Sequence, residues 1–206
     1  MPVLAFDVNE TLLDFGPLDP LFGGVDGRKR WFNQFVQLSF LGGITGDYID
    51  YPTAQRAALT MLGFDNADEV FVAMRRLPLH PDVVPALERM RAEYTLVALT
   101  NSPLAVVTEQ MEFNSATACF DAILSADTVR ALKPRAEAYQ HVGATLGVPL
   151  SEVRLVAAHG WDVAGALAAG CQAAFVARPG QELIPIGAQP DLVGTDLLEI
   201  AAALAT

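Results

Sequence analysis

Val3-Leu4-Ala5-Phe6-Asp7-Val8-Asn9-Glu10-Thr11-Leu12-Leu13 lies at the start of the chain, and its reading decides the fold. The opening apolar run reads as a buried strand. It then meets an acid, Asp7, and breaks into polar residues. A carboxylate at the end of a buried strand costs desolvation free energy. Asp7 is therefore either an acid kept for its chemistry or a turn former where the strand meets a solvated loop.

Outward from this stretch the pattern changes twice. Asp14 to Pro20 is a turn-rich exit. Arg28 to Leu41 carries Trp31, Phe32, Phe35, Val36 and Leu38 at helical spacing, with Gly42-Gly43 as its stop. Tyr48 to Leu62 reads as a second helix, with Pro52 breaking its first turn, and Asp65 to Arg76 as a third. Residues 15–79 thus predict helices and no strand. From residue 80 the periods alternate. Helices are expected over 81–94, 103–111, 135–146, 162–169 and 196–204, with Ser102 as N-cap and Pro103 at N1 of the second. Strands are expected over 95–100, 122–125, 154–158, 172–177 and 191–193. Such alternation predicts an α/β fold, a doubly wound and mainly parallel sheet. The core would be residues 1–14 and 80–206, and the helical cap residues 15–79.

The bulk properties narrow the function. The chain has 206 residues, 52% hydrophobic and 18% charged, which excludes disorder and allows a large core. A net charge of -11 disfavours nucleic acid and anionic membrane as partners. An anionic substrate would need a locally positive pocket. Cys119 and Cys171 have no metal-like spacing and read as apolar filler. With no secretory pattern and no membrane-length apolar run, the cytoplasm is expected.

Ligands of a doubly wound sheet bind beyond the carboxyl ends of its strands. There the sequence places Asp7, then Thr100-Asn101-Ser102, then Lys133, then His159 and Asp162. Alone, Lys133 reads as a surface lysine and Asp162 as a helix-start acid. An acid, polar donors, a cation, an imidazole and a second acid at the ends of one sheet predict a catalytic site. The set resembles the haloacid dehalogenase superfamily. Its four motifs match Asp7-Val8-Asn9-Glu10-Thr11-Leu12, Leu99-Thr100-Asn101-Ser102, Lys133-Pro134 and Trp161-Asp162 in order, across the whole chain. The resemblance implies a Rossmann-like core, an aspartate nucleophile and a cap over the site.

Two departures select a branch. Phosphatases of that superfamily need an acid two residues after the nucleophile, and here Asn9 has no proton to give. They also keep two acids in motif four to hold Mg²⁺, where His159-Gly160-Trp161-Asp162 offers one. A halide leaving group needs neither the proton nor the metal, so no cofactor and no metal is expected. The pattern resembles the L-2-haloacid dehalogenase branch, including the spacing from Lys133 to Tyr139. The resemblance implies attack of Asp7 on carbon 2 of a short 2-haloalkanoate, with Lys133 keeping Asp7 ionised. Thr100 and the loop amides of Val8, Asn9 and Thr11 would hold the substrate carboxylate. Arg28 (or adjacent Lys29 or Arg30) and Asn101 would receive the halide, with Tyr139 and Trp161 also lining the substrate. It further implies a homodimer, with the apolar cap helices as candidate contacts. The chain departs from the branch at Glu10, usually glycine, and His159, usually asparagine. That pair is expected to activate the hydrolytic water. The competing readings are a Mg²⁺-dependent phosphatase and a non-catalytic binding protein on the same scaffold.

Overall fold

Six strands form one sheet in the computed structural model, which describes residues 1–205. They are β1 (Val3–Phe6), β2 (Thr95–Thr100), β3 (Ala122–Ser125), β4 (Val153–Ala157), β5 (Gln172–Val176) and β6 (Leu192–Gly194). Every pairing is parallel, and the order is β3-β2-β1-β4-β5-β6. β1 is central, with Val3 in register with Thr95 on one side and Val153 on the other. Its four residues are all buried, as a strand covered on both faces requires. The order runs outward from β1 in both directions, so the crevice for a ligand opens between the ends of β1 and β4.

Alternate residues of each strand feed two separate cores. Leu4, Phe6, Leu96, Ala98, Val156 and Ala174 pack on one face against α4 (Val83–Met90), α5 (Leu104–Phe113) and α8 (Leu197–Leu204). Val3, Ala5, Val97, Leu99 and Leu155 pack on the other against α6 (Ala136–Leu146) and α7 (Gly160–Ala169).

Between β1 and α4 lie α1 (Val25–Thr45), α2 (Tyr51–Met61) and α3 (Ala67–Met74). An aromatic cluster holds this helical insert together. Trp31 is fully buried, stacks on Phe22 at 4.7 Å, leans on Phe35 at 4.8 Å and donates Nε1–H to the Gln55 carbonyl at 3.2 Å.

The structure corrects several helix limits. Gly42-Gly43 does not stop α1, which runs on to Thr45 and ends at left-handed Gly46. Gly42 serves close approach instead: a Cβ there would lie 2.7 Å from the Asp47 carbonyl oxygen. Pro52 opens α2 and does not break it, and Asp50 caps that helix by accepting from the Thr53 amide at 2.8 Å. Pro103, not Ser102, is the N-cap of α5. The helix expected over 81–94 is regular only over Val83–Met90. Among the described residues no helix is long and apolar enough to cross a membrane.

Candidate active site

Asp7 follows β1 directly, and its amide still pairs with the Val156 carbonyl of β4 at 3.0 Å. Its carboxylate is therefore fixed at the crevice. Lys133 reaches it from the loop before α6, with Nζ 2.7 Å from Asp7 Oδ1 and 2.7 Å from Asp162 Oδ2. The same ammonium donates to the Leu99 carbonyl at 3.0 Å, so its three N–H groups are all used. Thr11 donates its hydroxyl to Asp7 Oδ2 at 2.7 Å and accepts from the Ala158 amide at 2.9 Å. Burial alone would raise the Asp7 pKa. The Lys133 charge and the His159 contact overcome it and hold Asp7 well below the usual carboxylate range. Burial also opposes the charge of Lys133, but Asp162 and Asp7 raise its pKa above the ordinary value. Asp162 is pushed up by burial and by Asp7, against the pull of Lys133.

His159 is the N-cap residue of α7 and sits between two acids. Nδ1 is 3.1 Å from Asp7 Oδ2, and Nε2 is 3.1 Å from Glu10 Oε2. Phe32 and Trp161 flank the ring, each stacked within 18° at 5.2 and 5.3 Å. Burial lowers the His159 pKa, but the hydrogen bonds and charges of Asp7 and Glu10 reverse this and raise it to about 9. The resting ring is thus an imidazolium.

Glu10 holds a left-handed backbone at φ 58°, a strained conformation for a side-chain-bearing residue. His80 braces that peptide, with Nε2 3.2 Å from the Glu10 carbonyl oxygen. The oxygen can only accept, so Nε2 carries the proton. The Glu10 carboxylate also accepts from Arg28 Nη1 at 2.8 Å and from Gln181 Nε2 at 2.8 Å. Arg28 in turn gives Nε–H to Asp19 at 2.6 Å. Of the three adjacent basic residues, Arg28 is buried and turned to the site, while Lys29 and Arg30 are exposed.

Asp7, Glu10, Thr11, Arg28, Lys133, His159, Trp161 and Asp162 thus come together as one cluster. Other expected residues meet different partners. Asn101, expected at the halide, clasps Lys133 instead: Oδ1 accepts from the Lys133 amide at 2.7 Å and Nδ2 donates to its carbonyl at 3.1 Å. Tyr139, expected against substrate, gives its hydroxyl to Asp162 Oδ1 at 2.6 Å. Thr100 Oγ1 accepts from the Ser102 amide at 3.1 Å, which leaves its hydroxyl proton to donate. Val8 is fully buried and its carbonyl accepts from the Leu12 and Leu13 amides. Asn9 Nδ2 is 3.4 Å from Ser102 Oγ, and its buried Oδ1 has no partner.

Four contributors have no signal in the sequence alone. Gln181, His80 and Asp19 buttress the Glu10–Arg28 pair. Tyr51, at the start of α2, is buried beside Asn9, and burial and the Asp7 charge push its phenol pKa well above the ordinary value. Asp19 and Tyr51 lie in the insert, Gln181 in the loop after β5 and His80 just before α4, and each reaches the site only once its segment packs on the sheet. Among the described residues no group of three His, Cys, Asp or Glu side chains is arranged to hold a metal ion. Between Asp7 and Asp162 the balancing cation is Lys133 itself.

Comparisons with known proteins identify the family and the fold. Residues 24–170 match the family model described as a haloacid dehalogenase-like hydrolase. An (S)-2-haloacid dehalogenase of Xanthobacter autotrophicus is 32% identical over 196 residues, covering 88% of this chain and 77% of that protein. The solved structure of an L-2-haloacid dehalogenase from Xanthobacter autotrophicus superposes with a TM-score of 0.89 at 24% identity, over 100% of this chain and 98% of that one. A defluorinating L-2-haloacid dehalogenase structure gives 0.84 at 26% identity, over 100% and 96%. This chain belongs to the haloacid dehalogenase-like hydrolase family.

Proposed function

We propose that the protein hydrolyses short 2-haloalkanoic acids to 2-hydroxy acids through an ester on Asp7. The observation that carries the reading is His159 held between Asp7 and Glu10, beside an Asn9 that has no proton to donate. Asp7, kept ionised by Lys133, attacks carbon 2 in line, and halide leaves with its bonding electrons. Arg28 has N–H groups beyond those given to Glu10 and Asp19, and these receive the halide. Thr100 and the loop of Val8 and Asn9 hold the substrate carboxylate. Residues 15–79 act as the cap and residues 1–14 with 80–206 as the core.

The second step follows from what the first removes. Esterification cancels the Asp7 charge, one of the influences that hold His159 protonated. The imidazolium then gives its extra proton to solvent. Glu10 accepts from Nε2–H and so fixes the tautomer with Nδ1 free. Nδ1 takes a proton from water as the water oxygen attacks the ester carbonyl of Asp7. As the intermediate collapses, the departing alkoxide takes the proton held on Nδ1 and leaves as the 2-hydroxy acid, and the Asp7 acid then gives its proton to Nδ1 and returns as a carboxylate. The names of the relatives support the substrate class, and the two departures from their branch support the division of labour.

Halide release from a panel of 2-haloacids, with and without chelator, tests the reading. We expect turnover that chelator does not change. Absence of halide from every 2-haloacid, together with Mg²⁺-dependent cleavage of p-nitrophenyl phosphate, would replace it with the phosphatase.

A further inference from the structure

The site described above is closed. Asp7 is 4% exposed, Lys133 1% and His159 3%, so a small anion needs a way in. Beside the site lies a cavity of about 330 Å³. One wall is the last turns of α1, with Phe40 and Ile44. The other is the chain that leads to α6, with Arg130, Leu132, Pro134 and Arg135. The space exists because α1 is bare there: Gly42, Gly43 and Gly46 line the same wall without side chains. A Cβ on Gly43 would come within 3.3 Å of the Arg135 side chain.

Three rings, Phe40, Trp161 and His159, stand in series between this cavity and the nucleophile. Phe40 faces the cavity and meets Trp161 edge-on at 5.2 Å. Trp161 stacks on His159, which contacts Asp7. Leu132 and Pro134 flank Lys133, whose ammonium also contacts Asp7. The walls are mostly apolar and the rim carries two guanidinium groups. Arg130 lies over the Tyr48 ring at 4.4 Å, and Tyr48 donates its hydroxyl to Asp127. Arg135 pairs with Glu137. Glu137 occupies part of the Arg135 fork, and five donors per guanidinium leave others over. In a chain of net charge -11, such a rim is a favourable landing place for a carboxylate with a short apolar tail.

We propose that this cavity is the vestibule through which a short-chain carboxylate reaches Asp7, and that Phe40 and Trp161 together form its inner door. The substrate class rests on the haloacid reading above. The carboxylate is met at Arg130 and Arg135, the alkyl chain lies along Phe40, Ile44 and Leu132, and rotation of Phe40 together with Trp161 opens the way to His159 and Asp7.

Ile44 is 83% exposed at the rim and gives a handle for the test. In a Cys119→Ser background, with Cys171 buried, Ile44→Cys is labelled with N-cyclohexylmaleimide and compared with the same variant unlabelled. We expect the label to lower kcat/KM for 2-chloropropionate at least tenfold. We also expect Phe40→Ala to raise kcat/KM for 2-chlorohexanoate at least fivefold relative to 2-chloropropionate. Stoichiometric labelling that leaves kcat/KM intact, or a Phe40→Ala ratio equal to wild type, overturns the route. Iodide quenching of Trp161 fluorescence decides it separately, with Trp161→Phe identifying the quenched residue and fully buried Trp31 as background. The label should cut quenching at least threefold, and undiminished quenching overturns the vestibule. Were wild type to release no halide from any 2-haloacid, the functional reading would fall and the quenching result would still decide the route.

Discussion

Replacing His159 by alanine should separate the two chemical steps. The imidazole stands 3.1 Å from Asp7 Oδ2 and 3.1 Å from Glu10 Oε2, the geometry of a base oriented by an acid. A positioned general base is worth about 10²–10⁴ in rate, or ~3–5 kcal/mol of barrier. That whole effect falls on ester hydrolysis. Halide release loses only one hydrogen bond to the resting carboxylate, which Lys133 and Thr11 still hold at 2.7 Å each. Because this bond steadies the ground state, losing it does not add to the barrier for attack. Rapid-quench assays of His159→Ala with 2-chloropropionate should therefore show a burst approaching one chloride per active site. Steady turnover should then run about 10²–10⁴ below wild type. Mass spectrometry should find the acyl group on the peptide that carries Asp7. His159→Gln, which refills the slot between Phe32 and Trp161, should behave alike. Turnover at the wild-type rate, or equal slowing of both steps with no burst, refutes the assignment.

Other outcomes follow from the same contacts. Asp7→Asn should release no halide, and a single turnover of wild type in oxygen-18 water should place the label in Asp7 before product, as peptide mass reads. Lys133→Met leaves Asp7 and Asp162 buried without their shared cation, and denaturant unfolding at neutral pH should show a loss of about 3–5 kcal/mol. His159 has a folded pKa of about 9 against an ordinary 6.5, so its stabilising contribution is full below the lower value and fades as pH rises through the upper. The stability gap between wild type and His159→Gln should accordingly shrink by ~3 kcal/mol from pH 6 to pH 10. Tyr139→Phe removes the 2.6 Å donor to Asp162 and should cost about 1.5–3 kcal/mol in unfolding free energy, with loss of activity secondary to the shifted acid.

What the sequence revealed depended on how locally each feature is encoded. The apolar run before Asp7, the alternation after residue 80 and the polar residues at strand ends are local patterns, and together they imply the sheet and the crevice. Asp7, Lys133, His159 and Asp162 were legible because parallel strands deliver their ends to one place. Glu10 stood out as a charge in a position that favours glycine. For Asn101 the sequence does not show its structural partner, because one amide can serve a ligand or a neighbouring peptide equally well, and only the fold shows that the Lys133 backbone meets both ends of it. Gly42 was misplaced for a similar reason, since glycine marks both helix ends and tight contacts. Tyr51, Gln181 and His80 reach the site only after distant segments pack, and no short-range pattern records that.

The central place of β1 also governs when the molecule becomes competent as it folds. Val3 pairs with Thr95 and with Val153, so the strand that carries the nucleophile joins partners 92 and 150 residues further along. Pairings of such long range close large loops and form slowly. A growing chain that has not yet produced β4 has no groove for Asp7 and no His159 to face it. Regain of activity on refolding should therefore trail the regain of helical signal, and a nascent chain should stay inert until the second half of the sheet has docked.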